Sequence, residues 1–173
     1  MSIQIGQKAP DFKMQGILNG QINDVNLGDF TGKWIVLFFY PGDFTFVCPT
    51  EVKGFSVKNN EFKELDAQVL GVSVDSVHAH KAWIKELGEL NYPLLSDITK
   101  EVSRRYGILI PDKGISLRGA FIVDPEGFLR YQVVHDLDIG RSVDEILRVL
   151  KALQTGEMCP VEWRPGKSTL GKA

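Results

Sequence analysis

WIVLFFYPGDFTFVCPTE, residues 34–51, carries an unbroken apolar run almost directly into a cysteine. Its first seven residues, WIVLFFY (34–40), are aromatic and branched with no polar interruption, the composition of a strand buried on both faces. Pro41 and Gly42 end that run, and a short loop holds Asp43, Phe44, Thr45, Phe46 and Val47. Pro49 follows Cys48, and TEVKGFSVKNNEFKEL reads as a helix. Proline is favoured in a helix's first turn, where its missing N–H would find no partner anyway. Cys48 is therefore expected at the N-terminal end of a helix that starts at the top of a buried strand. A thiolate gains there from unpaired backbone N–H groups and the positive end of the helix dipole. A reactive cysteine belongs in such a place; the bland alternative is a small buried hydrophobe.

Upstream, residues 1–33 carry turn signals at Gly6, Pro10, Gly16, Asn19-Gly20 and Gly32. Between them INDVNL (22–27) alternates as an edge strand does, so a small β ribbon is expected ahead of the core. Downstream, QVLGVSVD (68–75) reads as a second buried strand and VHAHKAWIKELG (77–88) as a helix with Val77, Ala79, Trp83, Ile84 and Leu87 on its apolar side. LLSD (94–97) is a short strand, and KEVSRRYG (100–107) a short helix closed by Gly107. GAFIVD and FLRYQVV flank Pro125-Glu126-Gly127, which predicts a hairpin. Ser142 and Glu145 form a capping box for a final helix with apolar residues at 143, 146, 147, 150 and 153, stopped by Gly156. The order argues for an α/β fold, a mixed central sheet flanked by helices. A single domain over 1–173 is expected, with 156–173 as a C-terminal tail.

Charge is nearly balanced, 20 Lys and Arg against 22 Asp and Glu for a net −2, and no basic run invites nucleic acid. MSIQIGQKAPDF has neither a basic n-region nor an apolar h-region, so no secretory signal is expected. No stretch approaches the apolar length of a membrane span. Two cysteines and three histidines form no C-x-x-C, no disulfide framework and no metal-ligand cluster. A cytoplasmic protein with functional thiols fits that usage. His78, His80 and His135 show no pairing with a cysteine and are read as structural or exposed.

PGDFTFVCPTE resembles the active-site segment of the peroxiredoxins, P-x-x-x-T-x-x-C, with Pro41, Thr45 and Cys48 in the three fixed places. NYPLLSDITKEVSRRYGIL (91–109), RGAFIVDPEGFLRYQVV (118–134), DLDIGRSVDEILRVLKALQ (136–154) and MCP (158–160) resemble further family segments in the family's order. The similarity covers nearly the whole chain and is closest to the typical two-cysteine group, including bacterial alkyl hydroperoxide reductase C subunits. It implies a thioredoxin-like fold with an N-terminal β extension. It also implies a thiol peroxidase that reduces hydrogen peroxide and organic hydroperoxides without metal, haem or flavin.

An unperturbed thiol, with pKa about 8.5, is only a few per cent ionised at pH 7, and lowering that pKa by two units raises the thiolate fraction no more than about thirtyfold. Further acceleration must come from donors that hold the peroxide and stabilise charge on the leaving oxygen. Thr45 offers a hydroxyl that can donate or accept, and the Cys48 amide is a second candidate. The resemblance assigns the guanidinium to Arg118, which by itself reads as a solvated strand-end cation. It makes Pro41 the cover over the cysteine. Glu51 and Arg141 enter as secondary members, Glu51 orienting the arginines; by themselves they read as a first-turn acid and a residue before a helix cap. Cys159, beyond the last helix, resembles the resolving cysteine that attacks the oxidised one from a partner subunit. The resemblance further implies homodimers paired through the edge of the FLRYQVV hairpin, able to form a ring of five. Regeneration would come from an external dithiol, thioredoxin or a dedicated flavoprotein disulfide reductase. A thiol–disulfide exchange protein on the same fold is disfavoured, because Glu51 stands where a C-x-x-C motif needs its second cysteine. A non-enzymatic holdase or signalling role stays open beside catalysis.

Overall fold

The computed structural model describes residues 3–172; Met1, Ser2 and Ala173, at the ends of the N-terminal extension and the tail, lie outside the described residues. The chain divides into two compact units, residues 1–141 and 142–173.

The first unit is built on β3 (Trp34–Phe39), the apolar run that precedes the cysteine. Side chains alternate faces along a strand, so Ile35, Leu37 and Phe39 enter one layer of core while Val36, Phe38 and Tyr40 enter the other. All six are nearly or fully buried. β3 pairs in parallel with β4 (Ala67–Ser73) and antiparallel with β8 (Arg118–Val123), Leu37 facing Leu70 on one side and Phe121 on the other. β5 (Leu94–Ser96) extends the sheet beyond β4, and β9 (Leu129–His135) closes the opposite edge beside β8. On one face Phe38 stacks on Phe55 of α1 (Cys48–Glu64), ring centroids 4.1 Å apart. On the other, Phe39 and Phe121 pack against Tyr106, just after α3 (Glu101–Arg105). Each aromatic ring buried in this way contributes about 1.5–3 kcal/mol. α2 (Val77–Leu87) starts at Ser76, whose hydroxyl accepts from the Ala79 amide, and buries Val77, His80 and Trp83.

The N-terminal ribbon departs from expectation. β1 (Lys13–Leu18) and β2 (Gln21–Asn26) do form a hairpin, but β1 also pairs antiparallel with β5, so both belong to one seven-stranded sheet in the order β2-β1-β5-β4-β3-β8-β9. Gly16, read as a turn signal, lies inside β1. A β-carbon there would come 2.5 Å from the Leu95 side chain, so glycine permits close approach of the two strands rather than reversal of the chain. A second, two-stranded sheet, β6 (Leu109–Ile110) with β7 (Ile115–Ser116), lies just before Arg118.

The second unit holds α4 (Val143–Thr155). The Ser142 hydroxyl accepts from the Glu145 amide, and Gly156 closes the helix at φ 64°. The expected box is only half formed: the Glu145 carboxylate takes hydrogen bonds from Arg148 at 2.6 and 2.7 Å. That pairing and the Arg148 charge hold Glu145 below its ordinary pKa against a smaller opposing effect of burial. Among the described residues no helix is long and apolar enough to cross a membrane.

Gly71, in the middle of β4, gives a test of the packing. A β-carbon there would lie 2.8 Å from both Leu94 and Phe38, so Gly71→Ala should destabilise the protein by about 1–3 kcal/mol through overpacking. Urea unfolding should show a lower midpoint with an unchanged slope.

Candidate active site

Cys48 is the first residue of α1, with Val47 as cap and Pro49 second. Pro49 has no N–H, so the Cys48 amide is the first-turn donor next to the sulfur. The thiol itself is fully buried. One turn along, Glu51 is only 3% exposed, and a carboxylate so placed must be neutralised by its neighbours.

Two arginines do this. Arg118 opens β8, and because β8 runs antiparallel to β3 its start lies near the end of β3, from which the cysteine loop leaves. Its Nη1 donates to Glu51 Oε2 at 2.5 Å and lies 3.4 Å from Cys48 Sγ, while Nε donates to the Leu137 carbonyl at 2.6 Å. Arg141 donates to Glu51 Oε1 from its backbone amide (2.8 Å) and its Nε (2.7 Å), and to Oε2 from Nη2 (3.0 Å). Its Nη1 donates to the Gly119 carbonyl, and the guanidinium sits 5.6 Å from the centre of the Phe38 ring. Burial pushes the Glu51 carboxyl up, but the hydrogen bonds and charge of Arg141, with the charge of Arg118, outweigh it and hold the group below the usual carboxylate range.

Four of the residues read from sequence, Cys48, Glu51, Arg118 and Arg141, thus meet in one buried cluster. Pro41 is buried where β3 ends. Thr45 is exposed, and its hydroxyl donates to the Gly42 carbonyl at 3.0 Å. Among the described residues no group of three or more His, Cys, Asp or Glu could hold a metal ion.

This geometry can be set beside known proteins. Residues 5–132 match the AhpC/TSA family. The chain belongs to the AhpC/TSA family. It is 51% identical to Peroxiredoxin-2 of Mus musculus, over 96% of this chain and 89% of the mouse protein. Reduced 2-Cys peroxiredoxin of Plasmodium vivax superposes with a TM-score of 0.92 at 41% identity, covering 95% of this chain and 91% of that one. AhpC of Mycobacterium tuberculosis gives 0.85 at 40% identity, covering 95% and 100%. The fold is thioredoxin-like, and this peroxiredoxin is a thiol peroxidase with an antioxidant role.

Around the cluster lie residues that sequence reasoning passed over. Tyr40 Oη donates to Asp43 Oδ1 at 2.9 Å, and His80 Nδ1 is 2.7 Å from Asp43 Oδ2, all three residues being buried. Burial first, then the charge and hydrogen bond of Asp43, push the Tyr40 phenol well above its ordinary range, so it stays protonated and donates. A tyrosine closing an apolar run with an acid three positions later was a local hint. Nothing local points to His80, 37 positions from Asp43.

Cys159 belongs to the second unit, and both cysteines are free thiols. Its sulfur, partly buried, lies 3.6 Å from Thr155 Oγ1 and 3.7 Å from the Glu157 carbonyl. The tail beyond it closes on itself. Met158 pairs its backbone with Leu170 and Gly171, Trp163 Nε1 donates to the Lys167 carbonyl, and Thr169 hydrogen-bonds the Glu157 carboxylate.

Glu51 generates a pH-dependent prediction. A carboxyl with a depressed folded-state pKa contributes stability that is present above its unfolded value, about 4.3, and is lost as pH falls through the folded one. Glu51→Gln should lose about 3–5 kcal/mol at pH 7, the scale for breaking a buried ion pair. The gap to the unaltered protein should narrow below about pH 4.3, as urea unfolding at several pH values would show.

Proposed function

We propose that Cys48 is the peroxidatic nucleophile, that Thr45 and Arg118 activate the peroxide, and that Cys159 resolves the product. The observation that carries this reading is the Arg118 guanidinium 3.4 Å from Cys48 Sγ, locked by Glu51 and Leu137 so that it need not reorganise when charge moves. The Cys48 thiolate attacks one peroxide oxygen; an S–O bond forms, the O–O bond breaks, and the leaving oxygen takes a proton and departs as water or alcohol. Cys48 is left as sulfenic acid. Because the Thr45 hydroxyl proton is committed to Gly42, its lone pairs are what it offers, accepting from the peroxide O–H. Arg118 and the Cys48 amide then stabilise the departing oxygen, and Pro41 keeps bulk water from the sulfur. Glu51 and Arg141 position Arg118.

Cys159 of a partner subunit attacks the sulfenic sulfur, forming a disulfide and releasing water. An external dithiol, thioredoxin or a flavoprotein disulfide reductase, restores both thiols. β9 is the last strand of the seven-stranded sheet, with Leu129 at its start paired to Gly6 and Gln7, and that edge position supports dimers paired along the rest of the strand and a ring of five such dimers. We place the enzyme in the cytoplasm, as one domain whose segment 156–173 carries the resolving cysteine.

Cys48→Ser should abolish turnover, while Cys159→Ser should allow one fast oxidation per subunit in stopped-flow tryptophan fluorescence. Oxidised unaltered protein should run as a disulfide-linked dimer on non-reducing gels. An unreactive but folded Cys159→Ser variant would overturn the nucleophile assignment, and an oxidised monomer would place resolution within one chain.

Arg118→Lys keeps the charge but loses the planar fork, so peroxide reactivity should fall at least about tenfold, ~1.4 kcal/mol. Alkylation of Cys48 by iodoacetamide, which creates no peroxide oxyanion, should fall much less. Equal losses would limit Arg118 to supporting the thiolate or the fold.

A further inference from the structure

Asp43 lies in the loop between β3 and α1 yet is only 8% exposed. Its carboxylate accepts from Tyr40 on one oxygen and meets His80 Nδ1 on the other, and its amide donates to Asp75 Oδ2 at 2.9 Å. Asp75 is held in turn by the Ser73 hydroxyl at 2.7 Å, just beyond β4. The second ring nitrogen of His80 lies 3.1 Å from the Leu95 carbonyl of β5, and the ring is fully buried. One loop residue is thereby fastened to the end of β3, the end of β4 and α2, and through His80 to β5. Burying a carboxylate is unfavourable without such partners, and the mechanism above makes no use of this one.

Its chain neighbours show what the fastening achieves. Phe44, the next residue, has φ 56°, a left-handed conformation that a bulky side chain keeps only where its surroundings impose it. Gly42, the residue before, supplies the carbonyl that takes the Thr45 hydroxyl. The turn 42–45 is thus pinned at Asp43, reversed at Phe44 and closed by Thr45 onto Gly42. Release of Asp43 frees Phe44 to relax toward ordinary backbone angles, and that motion carries the Thr45 oxygen away from where it is held.

We propose that Asp43, clamped by Tyr40 and His80, is a positioning residue that fixes the Thr45 hydroxyl for peroxide activation. The inference rests on the reading of Thr45 as a peroxide-contacting group and extends it to the residues that aim it. Misplacing a reacting group by about 1 Å can lower a rate about a hundredfold, so a loop clamp can matter as much as a catalytic group.

The test is a double-mutant cycle on Thr45→Val and Asp43→Asn, following peroxide oxidation of Cys48 by stopped flow and its alkylation by iodoacetamide in parallel. Each single variant should lose at least about tenfold in peroxide reactivity, with alkylation changed by less than about threefold. The double variant should be no slower than Thr45→Val alone, within about twofold, because residues acting through one another are not additive. Full additivity, or an equal loss in alkylation, would show that Asp43 supports the fold or the thiol and would overturn the proposal alone. A fully active Thr45→Val would remove both the proposal and the reading beneath it. Should Asp43→Asn yield no folded protein, His80→Gln removes the clamp from its other end, and the same cycle with the same limits decides the matter.

Discussion

Glu51 is a carboxylate placed where almost no water reaches it, and the centre of the molecule is arranged around that fact. Two guanidinium groups and a backbone amide answer it, drawn from the head of β8 and from the segment ahead of Ser142. Two cations and one anion leave the cluster with a net positive charge, and the geometry puts one of the two guanidinium groups, that of Arg118, beside the sulfur. In a site shielded from water such a charge acts more strongly than it would at the surface. Without the acid, two buried cations would repel each other and each fork would be left with its carbonyl anchor alone. With it, each fork is locked by a second anchor as well, Leu137 for one and Gly119 for the other.

The sheet explains why these groups meet. β3, β4 and β5 run in parallel, so the chain leaves all three at one end of the sheet, the end where open α/β sheets gather their functional loops. The cysteine loop follows β3, Asp75 follows β4, and the Leu95 carbonyl belongs to β5. β8 is reversed, so its first residue rather than its last arrives at that end, and that residue is Arg118.

Much of this could be read from residue types close together in the chain. The WIVLFFY run, Pro49 behind Cys48, and the pair Ser142 and Gly156 each state a local requirement that the structure meets. Gly16 misled because glycine carries two meanings: it permits reversal, and it permits close approach, and only the Leu95 side chain from far along the chain decides between them. The arginines were beyond local reading for the same reason. Arg118 is 70 positions from Cys48, and Arg141 is 90 from Glu51. No periodicity spans such distances; the resemblance named these residues, and the fold brings them together. The Tyr40, Asp43 and His80 group fell outside both routes. Its members look like core aromatic, loop acid and helix histidine until the chain brings them together.

On the proposed resolving role, the self-closed tail changes how Cys159 is delivered. A thiol on a frayed chain end has to be found by diffusion of the segment, and its effective concentration at any target falls with the length of loose chain. Here the backbone pairing of Met158 with Leu170 and Gly171 ties together the two ends of the segment that contains the thiol, and Trp163 is buried within it. Cys159 therefore belongs to a preassembled segment, which Arg148 of α4 also holds by donating to the Trp163 carbonyl, with Gly156 in a left-handed conformation where the helix ends. A segment anchored in this way samples far less space than a loose chain end. On the proposed resolving role of Cys159, most of the segment's ordering is complete before any peroxide arrives.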